Sequence, residues 1–212
     1  LSTAVERSTA GTPLLDVTVE WEYTTVPSGS ERRFACVSDR ATYNALVMDT
    51  PITTTWLMTP RPGMDATSRR CFELLSFTVD GEDMPIRRTE HEGGQTYIVD
   101  ASVAAAAGNP VRIRHVYRTV TPAWGHRIYV ELPQPARGIS FDLDYTNTSI
   151  DSVSVTDMAA NGRAAQIVPS PKRAAGRSLS LRAPGWLLSK SGFAIVWTLE
   201  DELPQSERSE AT

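Results

Sequence analysis

Apolar and polar residues alternate through the first part of the chain. Val17, Val19, Trp21 and Tyr23 are separated by Thr18, Glu20 and Glu22. A period of two with one apolar face predicts a half-buried strand. Phe34 to Val37 predicts a short second strand, and the β-formers of Thr53 to Met58 predict a third. Phe72 to Val79 runs into Asp80-Gly81, the dipeptide favoured in tight hairpin turns. Met84 to Thr89 returns, Glu92-Gly93-Gly94 turns again, and Gln95 to Val99 returns once more. Phe72 to Val99 therefore predicts a three-stranded meander.

Further strands are expected at Val111 to Val120, His126 to Leu132, Ile139 to Tyr145, Ile150 to Asp157, Ser178 to Arg182 and Phe193 to Leu199. Pro122, Pro133 and Pro135 fall between them, where they disturb no ladder. Ile139, Phe141, Leu143 and Tyr145 point one way, and Ser140, Asp142, Asp144 and Thr146 the other. Trp186-Leu187-Leu188 reads as a buried turn or short strand, and residues 162–176 as an exposed loop with a short strand at Ala165 to Val168. The segment Thr59 to Arg70 is a loop punctuated by Pro60, Pro62 and Gly63.

Helical patterning is sparse. Asp39 to Met48 offers a capping aspartate and an apolar side of Tyr43, Leu46 and Val47, with Asp49-Thr50-Pro51 as the stop. Asp100 to Ala107 is alanine-rich, with Asp100 or Ser102 as cap and Gly108 to end it. So few helices leave no room for parallel crossover units. The expected fold is all-β and mainly antiparallel: a β-sandwich of about a dozen short strands with one or two short helices, with barrel-like closure as the alternative. One β-rich domain over residues 14–200 is expected, between a flexible segment 1–13 and a disordered tail 201–212.

Composition narrows the picture modestly. The 212 residues are 41% hydrophobic and 22% charged, within the range of a folded chain. No apolar run approaches membrane-spanning length, so no membrane partner is expected. Residues 2–12 are small and polar, without the basic start and apolar middle of a signal peptide. The chain starts on Leu1, and a fragment lacking a preceding segment is favoured over a processed mature form. The net charge of −4 argues against direct nucleic-acid binding through this portion. Cys36 and Cys71 have no metal-ligand or CxxC spacing. Cys36 lies in an apolar run, so a buried thiol in a reducing cytoplasm is the expectation.

Candidate chemistry is dispersed. His91, His115 and His126 form no HxH or HExxH pair, and no GxSxG elbow or phosphate-binding loop occurs. No catalytic residue, metal ligand or cofactor is therefore assigned. Asp142, Asp144, Asp151 and Asp157 cluster, and Asp142 and Asp144, on one strand face, would serve a cation or an acid/base pair. The plainer reading is cross-strand pairing of Asp142 and Asp144 with Arg112, Arg114 and Arg118 on a solvated face. Those arginines, with Arg61, Arg69, Arg70, Arg87 and Arg88, are interleaved with Trp56, Tyr97, Tyr117 and Trp124. Arginine with aromatic side chains suits a planar or anionic ligand, or a protein interface. Nearly all the positive charge is arginine, and coding bias is the plain account of that.

The segments His115 to Val120, Phe141 to Tyr145 and Gly185 to Trp197 together resemble the β-rich C-terminal portions of actinobacterial helix-turn-helix regulators. The resemblance covers most of Val17 to Leu199 and implies a domain that senses a ligand or partner behind a DNA-binding domain. The leading expectation is a non-catalytic sensor domain of a transcriptional regulator, binding a small molecule or protein and compatible with a homodimer. Arg112, Arg114, Arg118, His115, Tyr117 and Trp124 are the candidate binding residues. Arg112, Arg114 and Arg118 share one strand face, and His115 and Tyr117 the other, so one pocket cannot hold them all; the arginines are favoured as an outer surface. A hydrolase-type enzyme using the carboxylates, or a structural or oligomerisation sandwich, stays open beside it.

Overall fold

The computed structural model describes residues 2–7, 13–27, 29–48, 53–132, 134–157, 166–169, 176–189 and 191–203. The chain begins with β1 (Ser2–Arg7), β2 (Leu14–Thr25) and β3 (Glu31–Val37), then α1 (Arg40–Val47) and β4 (Thr53–Leu57). Next come β5 (Phe72–Val79), β6 (Glu82–Asp83), β7 (Ile86–His91), β8 (Gly94–Asp100) and α2 (Ser102–Ala107). The remainder is β9 (Val111–Pro122), β10 (Arg127–Glu131), β11 (Ala136–Asn147), β12 (Ile150–Asp157), β13 (Gln166–Pro169), β14 (Ser178–Leu187) and β15 (Gly192–Leu199). Strand makes up 64% of the structure, which bears out the all-β expectation. The sheets are mainly antiparallel, but β1 pairs with β11 in parallel and β3 with β4 likewise, so β3-α1-β4 is a parallel crossover unit that the sparse helices were not expected to allow. Among the described residues no sheet closes into a barrel.

The chain divides into two compact units. The first is Thr18–Val120, and the second combines Ser2–Val17 with Thr121–Thr212. The chain passes between them within β2 and again within β9.

In the first unit, one sheet has the order β2-β9-β5-β6 and the other β4-β3-β8-β7. Aromatic rings join them face to face. Phe34 of β3 meets Phe77 of β5 at 6.0 Å and His115 of β9 at 5.0 Å. Trp56 of β4 lies 4.4 Å from Phe72 and 4.7 Å from Tyr117 between ring centres. Such layers bury the apolar face that period-two alternation creates on each strand. The helix α1 is capped as expected, Asp39 accepting a 2.6 Å bond from the Thr42 amide. It packs on β4 and carries no fully buried residue. The stop expected at Asp49-Thr50-Pro51 lies outside the described residues.

The meander expected over Phe72 to Val99 is split between the two sheets. Asp80 and Gly81 make the tight turn with φ of 51° and 89°, and β6 pairs with the end of β5. After Met84 donates to Phe77, Pro85 has no amide to continue the ladder. The chain then joins the opposite sheet as β7, which pairs with β8.

In the second unit, β13-β14-β11-β1 leads to the first residues of β2, and β10-β15-β12 forms the other sheet. Phe141, Leu143, Leu179 and Leu181 on the first sheet and Val130, Phe193, Ile195 and Trp197 on the second are buried. Trp197 satisfies its indole N–H by donating to the Ala123 carbonyl at 2.8 Å. Ser2–Arg7 lies within the segment expected to be flexible, yet it forms β1, parallel to β11. β14 runs unbroken through Trp186, which is 62% exposed, while Leu187 beside it is buried. Of the buried turn or short strand expected at Trp186-Leu187-Leu188, the strand is found, but burial holds only for Leu187, because alternation turns Trp186 outward. Residues 162–165 and 170–175 of the expected loop, Pro133, and 204–212 of the expected tail lie outside the described residues.

Candidate functional site

β9 divides the candidate residues by parity. Val111, Ile113, His115 and Tyr117 are buried in the first unit, while Arg112, Arg114 and Arg118 face solvent. Each arginine is held by a glutamate from a neighbouring strand. Arg114 makes a two-pronged contact with Glu20 of β2, Nε at 2.7 Å and Nη2 at 2.9 Å. Arg112 pairs with Glu22 of β2, and Arg118 with Glu73 of β5 at 2.9 Å. The bond from Arg114 holds the Glu20 carboxyl below its usual range. The pairing expected between these arginines and Asp142 and Asp144 is therefore replaced. The partners are the polar residues of β2's own alternation and of β5.

A shallow depression of about 300 Å³ adjoins this ladder, lined by Glu22, Thr78, Asp80, Gly81, Arg112 and Arg114. Asp80 closes one side by accepting a 2.8 Å bond from the Arg112 amide.

The aromatic members of the candidate set lie elsewhere. Tyr117 is buried, and that burial pushes its pKa up to about 12. His115 sits among Trp21, Tyr23, Phe34, Phe77 and Tyr117 at ring distances of 5.0 to 6.4 Å. Burial, with a smaller push from Arg32, lowers its pKa to about 3, so the ring is neutral at pH 7. Its Nδ1 is buried with no hydrogen-bond partner among the described residues. Trp124 lies on the turn Ala123–Gly125 in the second unit, 48% exposed. The arginines are thus brought together, and His115 and Tyr117 are brought together behind them, but the aromatic side chains do not join the arginine row.

The other candidates have structural partners. Asp142 accepts a 2.6 Å bond from Ser180 and meets Arg182 at 3.4 Å. Asp144 accepts from the amide and hydroxyl of Thr146. No group of three or more His, Cys, Asp or Glu among the described residues has the arrangement to hold a metal ion. Cys36 and Cys71 are both free and buried, as expected. Burial pushes the Cys36 thiol up to about 12, which makes it a poor nucleophile. His126 contacts Glu202 at 3.1 Å, and His91 leans on the Glu92 carbonyl.

One functional-looking residue escaped the sequence reading. Gln95 is fully buried in β8 and uses both ends of its amide. Its nitrogen donates to the carbonyls of Ala66 and Ser68 at 2.9 and 3.0 Å. Its oxygen accepts from Arg88 Nε at 2.8 Å and Tyr97 at 3.1 Å. Arg88 also donates to the Thr67 carbonyl. Gln95 is therefore a staple for the loop ahead of β5, and the signal for it was a single glutamine on an inward-facing strand position.

Compared with known proteins, the chain matches no protein-family model, no curated protein and no solved structure. Among the described residues, no helix is long and apolar enough to cross a membrane.

Proposed function

We propose that the chain is a non-catalytic binding domain, the regulatory portion of a transcriptional regulator, and that it engages a partner protein through the outer face of β2, β9 and β5. The observation that carries this reading is the row of Arg112, Arg114 and Arg118, each laid along the sheet by a glutamate. A guanidinium already held in one geometry loses less freedom when a partner docks. The face is broad, shallow and of mixed charge. That suits a protein surface with complementary charges, where such pairs set specificity and on-rate. The regulatory context comes from the resemblance of His115 to Val120, Phe141 to Tyr145 and Gly185 to Trp197 to regulator domains.

The test must separate recognition from folding. R112E/R114E alone would set new carboxylates against Glu20 and Glu22. The swapped variant E20R/E22R/R112E/R114E keeps both pairs but inverts the pattern that a partner meets. It should melt within roughly 4 °C of wild type, the scale of a surface change. In crosslinking and affinity capture from the source cells, a specific protein retained by wild type should be lost with the swapped variant. Equal retention by both folded proteins would remove this face from the recognition surface.

A further inference from the structure

The outer face of the second unit holds a depression that the binding reading above does not use. In register, Arg137 pairs with Trp186 and Ile139 with Ala183, so Pro184 and Gly185 oppose the single residue Gly138. That is a β-bulge, and both glycines adopt left-handed backbone, with φ of 71° at Gly138 and 102° at Gly185. No described residue lies within 4 Å of where a Cβ would stand on either glycine. The slip in register thus opens the surface. Pro184 brings no amide to close it. The result is a depression of about 390 Å³, lined by Gly138, Ile139, Ser140, Gln166, Arg182 and the Ala183–Pro184 pair. That volume lies at the small-ligand end of binding sites. Trp186 stands next to it in sequence and register, and 62% of its surface is exposed.

We propose that this bulged face of β11, β13 and β14 binds a neutral saccharide. An exposed indole gives the apolar face of a sugar ring a surface to stack on, while its hydroxyls need donors and acceptors close together. Gln166 supplies both kinds from one amide, Ser140 a hydroxyl, and Arg182 a guanidinium. Asp142 meets Arg182 at 3.4 Å and accepts from Ser180 at 2.6 Å. The Arg182–Asp142 pair decides between ligand classes. A carboxylate beside the guanidinium offsets its charge, which disfavours an anion, whereas a diol uses one group as donor and the other as acceptor. The shallow, open form fits one or two rings of a chain and leaves the rest in solvent.

The experiment titrates the full chain with soluble cello-, malto-, xylo- and chito-oligosaccharides. Calorimetry reads binding, and the Trp186 indole resonance reads location. At least one series should bind saturably in the micromolar to millimolar range and move that resonance. Trp186→Ala should weaken binding by at least about tenfold, roughly the loss of one stacking contact. Gln166→Ala should weaken it as well, and this second exposed variant carries the test if Trp186→Ala does not fold. The swapped variant of the first unit should bind the sugar as wild type does, so failure here and failure of the partner-binding reading are distinguishable. No binding by any series at millimolar concentration overturns the proposal. So does binding that survives both substitutions, or binding of inorganic phosphate in place of the sugars.

Discussion

On the outside of the first unit, the side chains of Arg112, Arg114 and Arg118 are 65%, 41% and 41% exposed, with a glutamate beside each. On the inside, Gln95 and His115 are cut off from water, and Gln95 has four hydrogen bonds where the Nδ1 of His115 has none. The number of visible contacts ranks these residues poorly by energetic weight. A solvated ion pair exchanges one good environment for another, so its net worth is small. A buried polar group has no such exchange, and the presence or absence of its partner counts in full. The outer row is therefore free to serve recognition, while the inner residues govern stability.

The sharpest break of that comparison is Gln95→Leu. The substitution keeps the volume and removes the amide. It would leave Arg88 Nε and the Ala66 carbonyl without these partners, while the Tyr97 hydroxyl keeps the Phe72 carbonyl and the Ser68 carbonyl keeps the amides of Cys71 and Phe72. We expect a loss of about 3 kcal/mol in urea unfolding, since two buried groups lose partners together. Amide hydrogen exchange should rise first between residues 59 and 71, the loop that Gln95 staples. A loss below about 1 kcal/mol, the range of a surface change, would show that the loop is held by other contacts.

His115 gives the second-largest effect, and it is read from pH. Its folded pKa is about 3 against an ordinary value of 6.5, so between these values the unfolded chain binds the proton and the folded one does not. Its contribution is fully present above pH 6.5 and is lost as the pH falls toward 3. The slope approaches about 1.4 kcal/mol per pH unit within that window. His115→Phe keeps an aromatic ring among Trp21, Phe34 and Phe77 and removes the titrating group. The wild-type-minus-variant difference in stability should therefore vary with pH in that window and flatten above it. At pH 7 the variant should be at least as stable, because no Nδ1 is left unpartnered. A difference that does not change with pH would mean that His115 is hydrated in the folded state.

The alternation of single strands was legible in the sequence, and with it the division of β9. Val17 to Tyr23 and Val111 to Tyr117 carry a period of two, and burial of one face follows from that period. Asp39 as a helix cap and Asp80-Gly81 as a turn were also legible, because a few neighbouring residues decide them. Partner choice was not. Arg114 finds Glu20 across 94 residues of chain, and strand order, which local pattern does not encode, sets that meeting. Met84 to Thr89 read as one returning strand, and nothing nearby said that the chain would change sheets at Pro85. The bulge at Gly138 and Gly185 depends on the register of β11 against β14, a relation between distant segments. For the same reason Trp186 read as buried among apolar neighbours.

The smallest expected effect sharpens the outer half of the comparison. Arg114 and Glu20 make the best ion-pair geometry on the arginine row, with both bonds under 3 Å. Geometry of that quality argues for a measurable coupling, and the exposure of both side chains, 41% and 37%, argues against a large one. A double-mutant cycle with Arg114→Ala and Glu20→Ala isolates the pair, because the transfer effects of each truncation cancel. We expect a coupling of about 0.5 to 1 kcal/mol that shrinks as salt is raised, since ions screen charges that face solvent. The sign at low pH follows from Glu20, whose carboxyl the Arg114 bond holds below its ordinary range. The coupling should be present above the unfolded glutamate pKa and fade as acid protonates Glu20 in the folded chain. A coupling several times larger and insensitive to salt would mean that this pair is shielded from solvent. The arginine row would then belong with Gln95 among the residues that hold the fold, and its place in recognition would pass to another face.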